Sequence, residues 1–377
     1  MKQPAIRPAT LADLDALVDL EKACFANDRF SRRSFRYLLS KAHASTLVAE
    51  TGQDIIGYVM LLYHQGTSLA RLYSLAVAAQ ARGQGLGRRL LEAAEEQALE
   101  QGCAYLRLEV RADNAAAQKL YASMAYQPLQ VLRHYYEDAA DGLRFEKRLQ
   151  PRLRPTLGKV PYYRQTLDFT CGPASLLMGM GALDPRLPRD RTEEMRIWRE
   201  ATTIFMTSGH GGCGPYGLAL SAAQRGFDVE LWINQPEAPL ADSVRSEDKK
   251  EVMRLVQDDM REQLRKRKVP IHTGVLNVAE LRERFEQGAQ LLVLISSYRI
   301  YREKFPHWVV INGFDDRFVY VHDPFVDEEK NKSETDCVNL PIAHRDFDRM
   351  AHYGRAGLRS VILIRRGKKP SPRNKAK

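Results

Sequence analysis

The chain has 377 residues, 44% of them hydrophobic and 28% charged, with a formal net charge of +10. At roughly 100–200 residues per domain this length predicts two domains, and no stretch approaches the ~20 apolar residues of a membrane span. The five cysteines show neither zinc-ligand spacing nor a disulfide framework, and Met1-Lys2-Gln3-Pro4 lacks a signal-peptide core, so no metal, no membrane and a cytoplasmic location are expected.

Taken in chain order, Ala5–Arg7 reads as a strand. Thr10, with Asp13 three residues on, caps an amphipathic helix to about Phe25, and a second helix follows Ser31. Thr46–Glu50 and Asp54–Tyr63 form a hairpin around Thr51-Gly52-Gln53, and Leu69–Val77 is a further strand. A glycine-rich turn leads into a helix ending near Gln101. Tyr105–Val110 is a strand, Asn114–Met124 a helix, and Gln127–Tyr136 and Leu143–Leu149 the last strands of this half. The order implies one sheet with helices packed on it. Residues 151–156, basic and holding two prolines, read as a linker between a domain at 1–150 and another at 157–364. The second half opens with a helix near Cys171. Ser243–Lys268 reads as a charged, solvent-facing helix or insertion, and Leu291–Ser296, Trp308–Asn312 and Phe318–His322 as strands. The tail at 365–377 carries +7 with no acid. It reads as disordered, with a weak contact to RNA or an acidic partner as the alternative.

The first chemical motif lies between a strand and a helix. Arg82-Gly83-Gln84-Gly85-Leu86-Gly87 bares backbone N–H groups at a helix N-terminus, a cradle for a diphosphate, with Arg82 and Arg88 to balance charge. The same glycines would serve an ordinary tight turn. The block Leu108-Glu109-Val110-Arg111-Ala112-Asp113-Asn114 follows, then Leu120-Tyr121. Together these motifs resemble the GNAT acetyltransferase superfamily, in the branch of ribosomal-protein alanine N-acetyltransferases. Arg82, Gly85 and Gly87 occupy the positions of its [QR]-x-x-G-x-[GA] signature. The resemblance implies acetyl-CoA as cosubstrate. Leu75 and Val77 would lie along the pantetheine arm and Asn114 would contact CoA. Glu109 would be the general base, through water, and Tyr121 would meet the departing sulfur. Plainer readings place Tyr121 in the core and Glu109 on a solvent-facing strand. One departure is Ala125, where the family pattern has glycine after the helix.

The second motif is Gln165, six residues before Cys171-Gly172-Pro173. A cysteine at a helix start is activated by the helix dipole. His307 opens the apolar run Trp308-Val309-Val310-Ile311, and Asp323 ends the next strand, close enough in adjacent strands to fix the imidazole. This set resembles the bacteriocin-processing, double-glycine-leader cysteine peptidases of papain-like fold. The resemblance implies Cys171 as nucleophile, His307 as base, Asp323 as its orienter and Gln165 as an oxyanion donor. Cys213-Gly214-Pro215 is a rival with Thr207 six residues upstream, and Cys171 is the better candidate. A buried, inert Cys171 is the plainer reading. His322 and His210 read as structural histidines.

The fold expected is therefore α+β in both domains, a GNAT fold with a mixed central sheet followed by a papain-like cysteine peptidase fold. The expected function is acetyl transfer to a peptide or protein amine, an N-terminal one by the resemblance, fused to cleavage or rearrangement of a peptide amide. The alternative is a C-terminal half that binds peptide without catalysis.

Overall fold

Residues 3–26, 29–202, 211–237, 239–240, 246–303, 305–330 and 332–367 are described by the computed structural model. The chain divides into two compact units between Leu153 and Arg154.

The first unit runs β1 (Ala5–Pro8), α1 (Leu14–Cys24), α2 (Arg32–Ser40), β2 (Ala44–Thr51), β3 (Asp54–Tyr63), β4 (Leu69–Val77), α3 (Leu86–Glu100), β5 (Tyr105–Arg111), α4 (Ala115–Ser123), β6 (Gln127–Leu132) and β7 (Gly142–Arg148). The Thr10–Asp13 capping box forms, with Thr10 N donating to Asp13 Oδ2 at 2.7 Å, and opens a short 3-10 turn before α1. Ser31 caps α2 by accepting from the Ser34 amide at 3.0 Å. The strands form one sheet in the order β1-β2-β3-β4-β5-β7-β6. On α3 the residues Leu86, Leu90, Ala94 and Ala98 recur at one-turn spacing, and all are buried. They pack with Leu106, Leu108 and Tyr121 on one face of the sheet. Leu17 and Phe35 pack with Tyr58 and Met60 on the other.

β4 and β5 position the site. They pair in parallel from Leu69↔Tyr105 only as far as Leu72↔Leu108, although β4 continues to Val77 and β5 to Arg111. A register shift between Met60 and Leu61 bulges β4 at this point. The two strands diverge beyond it and open the sheet. β6 stops at Leu132, short of the expected Tyr136, because His134 takes a left-handed φ of 52° and its amide is held by Asp141. Ala125, in the position where the family pattern has glycine, adopts φ 66°.

The second unit comprises β8 (Thr156–Leu157), α5 (Cys171–Leu183), α6 (Arg191–Ala201), α7 (Pro215–Gln224), β9 (Asp228–Ile233), α8 (Glu247–Lys266), β10 (Ile271–Thr273), α9 (Val278–Glu286), β11 (Gln290–Ser296), α10 (Tyr298–Tyr301), β12 (Pro306–Phe314), β13 (Phe318–His322), β14 (Leu340–Ala343), α11 (His344–Met350) and β15 (Ser360–Arg365). Its sheet follows β10-β9-β15-β11-β12-β13-β14, with β8 beside β12. The almost wholly buried α5 packs in the core with α7, Leu292, Trp308 and Val310. Within the charged stretch Glu247–Lys266 is a helix, α8, but not a wholly solvated one, and residues 243–245 lie outside the described residues. Met253, Gln257, Met260 and Leu264 form a buried stripe at helical spacing.

Two expected boundaries move. Thr156, assigned to the linker, pairs with Phe314 as part of β8, because strand pairing satisfies its backbone. Arg365, assigned to the disordered tail, ends β15 opposite Asp228 and forms an ion pair with Glu230. Arg366 donates to Leu183 O at 2.6 Å. Lys368–Lys377 lie outside the described residues. Among the described residues no helix is long and apolar enough to cross a membrane.

Candidate active sites

In the first unit the divergence of β4 and β5 opens a cleft of about 1010 Å³. Leu75, Val77, Arg82, Gly83, Gly85, Gly87, Arg88, Glu109, Asn114 and Tyr121 all line it. Gly85 is the N-cap of α3 at φ 78°, a left-handed conformation that an L side chain adopts only with strain. A Cβ there would meet no atom within 4 Å. The turn is therefore open, and the amides of the first turn of α3 have no partner within the helix. Such amides, with the helix dipole behind them, suit a diphosphate. Arg82 donates to Val77 O at 3.0 Å and Arg88 to Ser123 Oγ at 2.7 Å, which ties both exposed side chains to the rim. Asn114 caps α4, its Oδ1 accepting from Ala117 N at 3.1 Å.

Tyr121 is 5% exposed, and burial pushes its phenol up to about 12. Its hydroxyl has no hydrogen-bond partner among the described residues. At neutral pH it is a hydrogen-bond donor rather than a proton source. Glu109 is not the solvent-facing residue of the plainer reading. Its side chain is 5% exposed and bridges Arg71 Nε at 3.0 Å and Arg144 Nε at 3.4 Å. Burial lowers the Arg144 guanidinium, against the opposing charge of Glu109. These arginines had no signal in the sequence, since each reaches Glu109 only through strand register. Glu21, also missed, lines the same cleft from α1 and is 1% exposed.

In the second unit Cys171 is the first residue of α5, with Thr170 as N-cap and Pro173 in the first turn, where a missing N–H costs nothing. The cysteine is half-buried. His307 Nε2 lies 2.7 Å from Asp323 Oδ1, and Cys171 is a hydrogen-bond partner of the same imidazole. Nδ1 is thus the nitrogen turned to the sulfur. Burial, the largest influence on His307, works to lower it. The Asp323 carboxylate and Cys171 outweigh burial and raise the imidazole from 6.5 to about 10. Asp323 is fully buried, which works to raise it. The opposing charge and hydrogen bond of His307, the Tyr301 hydroxyl and the Phe325 amide hold it below the ordinary carboxylate value. Tyr301 Oη donates to Asp323 Oδ2 at 2.6 Å and the Phe325 amide to Oδ1 at 2.9 Å. Tyr301 sits on a four-residue helix whose sequence carries no motif.

Gln165 is buried, and its backbone N–H donates to Pro324 O at 2.9 Å, fastening its loop to the residue after Asp323. Its Nε2 donates one hydrogen to Leu167 O at 2.9 Å. The second amide hydrogen and the backbone N–H of Cys171 are the donors available to an oxyanion. The rival Cys213 is buried, which pushes its thiol well up, and its Sγ is 4.0 Å from Trp198 O. His322 accepts from Asn339 N at Nδ1 and lies 3.0 Å from Val160 O at Nε2, so both nitrogens are spent on structure. Thr207 and His210 lie outside the described residues.

Comparison with known proteins assigns both halves. Residues 160–365 match the model of the Peptidase_C39 like family, and residues 14–126 that of the acetyltransferase (GNAT) family. The N-alpha-acetyltransferase of Sulfurisphaera tokodaii is 30% identical over 151 residues, covering 37% of this chain and 90% of that protein. The putative [ribosomal protein bS18]-alanine N-acetyltransferase of Bacillus subtilis is 31% identical over 134 residues, 36% of this chain and 87% of the relative. The crystal structure of the ribosomal-protein-S18-alanine N-acetyltransferase from Escherichia coli, at 26% identity, covers 42% of this chain and 99% of that one with a TM-score of 0.36.

Proposed function

The chain belongs to the Peptidase_C39 like family and carries a GNAT N-acetyltransferase domain ahead of that region, and from this premise we propose a two-site enzyme that acetylates a peptide or protein amine and cleaves a peptide amide through Cys171. In the first site the residues fit acetyl-CoA. The open turn at Gly83–Gly87 takes the diphosphate, and Leu75 and Val77 flank the arm. The cosubstrate supplies an acyl group on a good leaving group. Glu109, held by Arg71 and Arg144, meets the acceptor, which sheds a proton to water and attacks as the neutral amine. Tyr121 donates a hydrogen bond to the sulfur as the thiolate departs. The named activity of the Bacillus relative makes a protein N-terminus the first acceptor to try.

In the second site His307, its proton affinity raised by Asp323 and Cys171, carries a proton on Nδ1 beside the sulfur, and the thiolate attacks the amide carbonyl. Gln165 and the Cys171 amide receive the oxyanion, and Asp323 keeps Nε2–H engaged throughout. The imidazolium returns its proton to the leaving amine, and water then hydrolyses the thioester. The observation that carries this reading is the 2.7 Å His307–Asp323 contact beside a cysteine that opens a helix. Its test incubates the full chain with acetyl-CoA and a panel of peptides with free N-termini, read by thiol release and mass spectrometry. Acetylated peptides are expected from the wild type. Cleaved peptides are expected from the wild type but not from Cys171→Ala. Intact peptides and unlabelled Cys171 with a thiol-reactive peptide would reduce the second unit to a binding module.

A further inference from the structure

The cleft of the first unit holds a second buried carboxylate with a hydrogen-bonded path leading to it. Glu21 is 1% exposed, on the face of α1 that also buries Leu14, Leu17 and Leu20. Its Oε1 accepts from the Phe30 amide at 3.0 Å, and its Oε2 accepts from the Tyr58 hydroxyl. Tyr58, fully buried on β3, is 2.8 Å from Ser74 Oγ. Ser74 lines the cleft together with Glu21, Glu109 and Tyr121. The bulge in β4 sets this geometry, because it brings Ser74 opposite Met60, beyond the last β4–β5 pair.

We propose that Ser74, Tyr58 and Glu21 form a proton relay that takes the N–H proton of the acceptor during acetyl transfer, the acceptor attacking as the neutral amine after its ammonium form has lost a proton to water, with Glu109 left to orient it. The relay rests on the acetyltransferase reading of this cleft and adds the fate of the proton. As the amine nitrogen forms its bond to the acetyl carbon, its N–H proton passes to Ser74 Oγ. The Ser74 proton passes to Tyr58 Oη, and the Tyr58 proton to Glu21 Oε2. The C–S bond then breaks and CoA leaves as thiolate. Glu21 ends as a neutral acid and returns its proton to water along the same chain once product has gone.

The two carboxylates differ in their surroundings. Glu109 is bridged by two guanidiniums, Arg71 at Oε2 and Arg144 at Oε1, so both of its carboxylate oxygens are engaged. Among the described residues Glu21 bonds no cation. Burial raises its affinity for a proton, while Tyr58, the Phe30 amide and the charge of Arg29 oppose this. Cys24 faces the same network across Tyr58. A buried carboxylate whose proton affinity is raised, at the end of a hydrogen-bonded path from the cleft, suits a proton acceptor.

The test uses full-length wild type, Glu21→Gln, Tyr58→Phe, Ser74→Ala and Glu109→Gln. Acetyl-CoA binding is read by calorimetry and CoA release by a thiol reagent from pH 5 to 9, with an alanine-N-terminal peptide as acceptor. Glu21→Gln is expected to bind acetyl-CoA within about twofold of wild type, to lose ~10²–10³ in kcat, and to lose the acid limb of the pH–rate profile. Tyr58→Phe and Ser74→Ala, which leave the carboxylate in place, are expected to lose ~10-fold or more in kcat. Glu21→Gln matching wild type at every pH, with the whole loss in Glu109→Gln, overturns the relay and returns the base role to Glu109. A wild type that binds acetyl-CoA but releases no thiol with the peptide removes the acetyl-transfer reading, and the relay with it.

Discussion

His307 Nε2 lies 2.7 Å from Asp323 Oδ1, which leaves Nδ1 facing Cys171 and fixes the direction in which a proton moves through the second site. Asp323→Asn keeps the shape but removes the charge that holds the imidazole. Peptide cleavage and covalent labelling of Cys171 are expected to fall ~10²–10⁴-fold in this variant. Tyr301→Phe, which removes one donor to the same carboxylate at 2.6 Å, is expected to cost ~10-fold and to displace the pH–rate profile. A rate loss with no displacement would mean that Tyr301 only packs.

The same pair makes stability depend on pH. Folding raises His307 from 6.5 to about 10, so the native state binds this proton more tightly than the unfolded chain. The stabilisation is complete below about pH 6.5 and is lost as pH climbs through about 10. Asp323, lowered by folding, contributes stability that is present above the ordinary carboxylate range and lost on acidification. Urea midpoints between pH 6 and 10 should therefore fall in the wild type more steeply than in His307→Ala, whatever the absolute stability of that variant.

At the diphosphate turn, Gly85→Ala places a side chain at φ 78° and in space open to ligand. Stability should fall by ~1–2 kcal/mol, and acetyl-CoA affinity by calorimetry should fall ~10-fold or more. Gly52→Ala is the control. Its φ of 67° imposes similar strain in the β2–β3 hairpin, away from the cleft. It should lose stability but not affinity.

Tyr121→Phe should leave acetyl-CoA binding unchanged and lower kcat by ~10². With the phenol pushed up to about 12, the wild-type profile should show no basic limb from this residue below that pH. An unchanged kcat in steady-state assays would assign Tyr121 to the core alone.

Ala125 sits at φ 66° just after α4. Ala125→Gly relieves this strain and adds freedom to the unfolded chain. The expected net effect is up to ~1 kcal/mol of stabilisation in a urea titration, with acetyl transfer unchanged.

Most of the first unit was legible because its signals are local. Apolar runs mark β3 and β4, the i, i+4 spacing of Leu86, Leu90 and Ala94 marks α3, and Thr10, Ser31 and Asn114 announce helix starts. In the second unit β10 and β14, of three and four residues, are too short to show a period. Arg365 looked like tail because its neighbours are basic. Its pairing with Asp228 and its ion pair with Glu230 come from the neighbouring strand β9, 135 residues away in the chain at Glu230.

The sequence by itself determined the groups that act within one stretch of chain. The glycine turn ahead of α3 and Cys171 at the mouth of α5 depend on backbone conformation a few residues long. Tertiary structure alone decided which charges stand next to which. Arg71 and Arg144 reach Glu109 from other strands, Tyr301 reaches Asp323 from a short helix, and Tyr58 reaches Glu21 from β3 beneath α1. An ionisable group's chemistry follows from neighbours within a few ångströms, and strand register and burial, not chain order, place those neighbours.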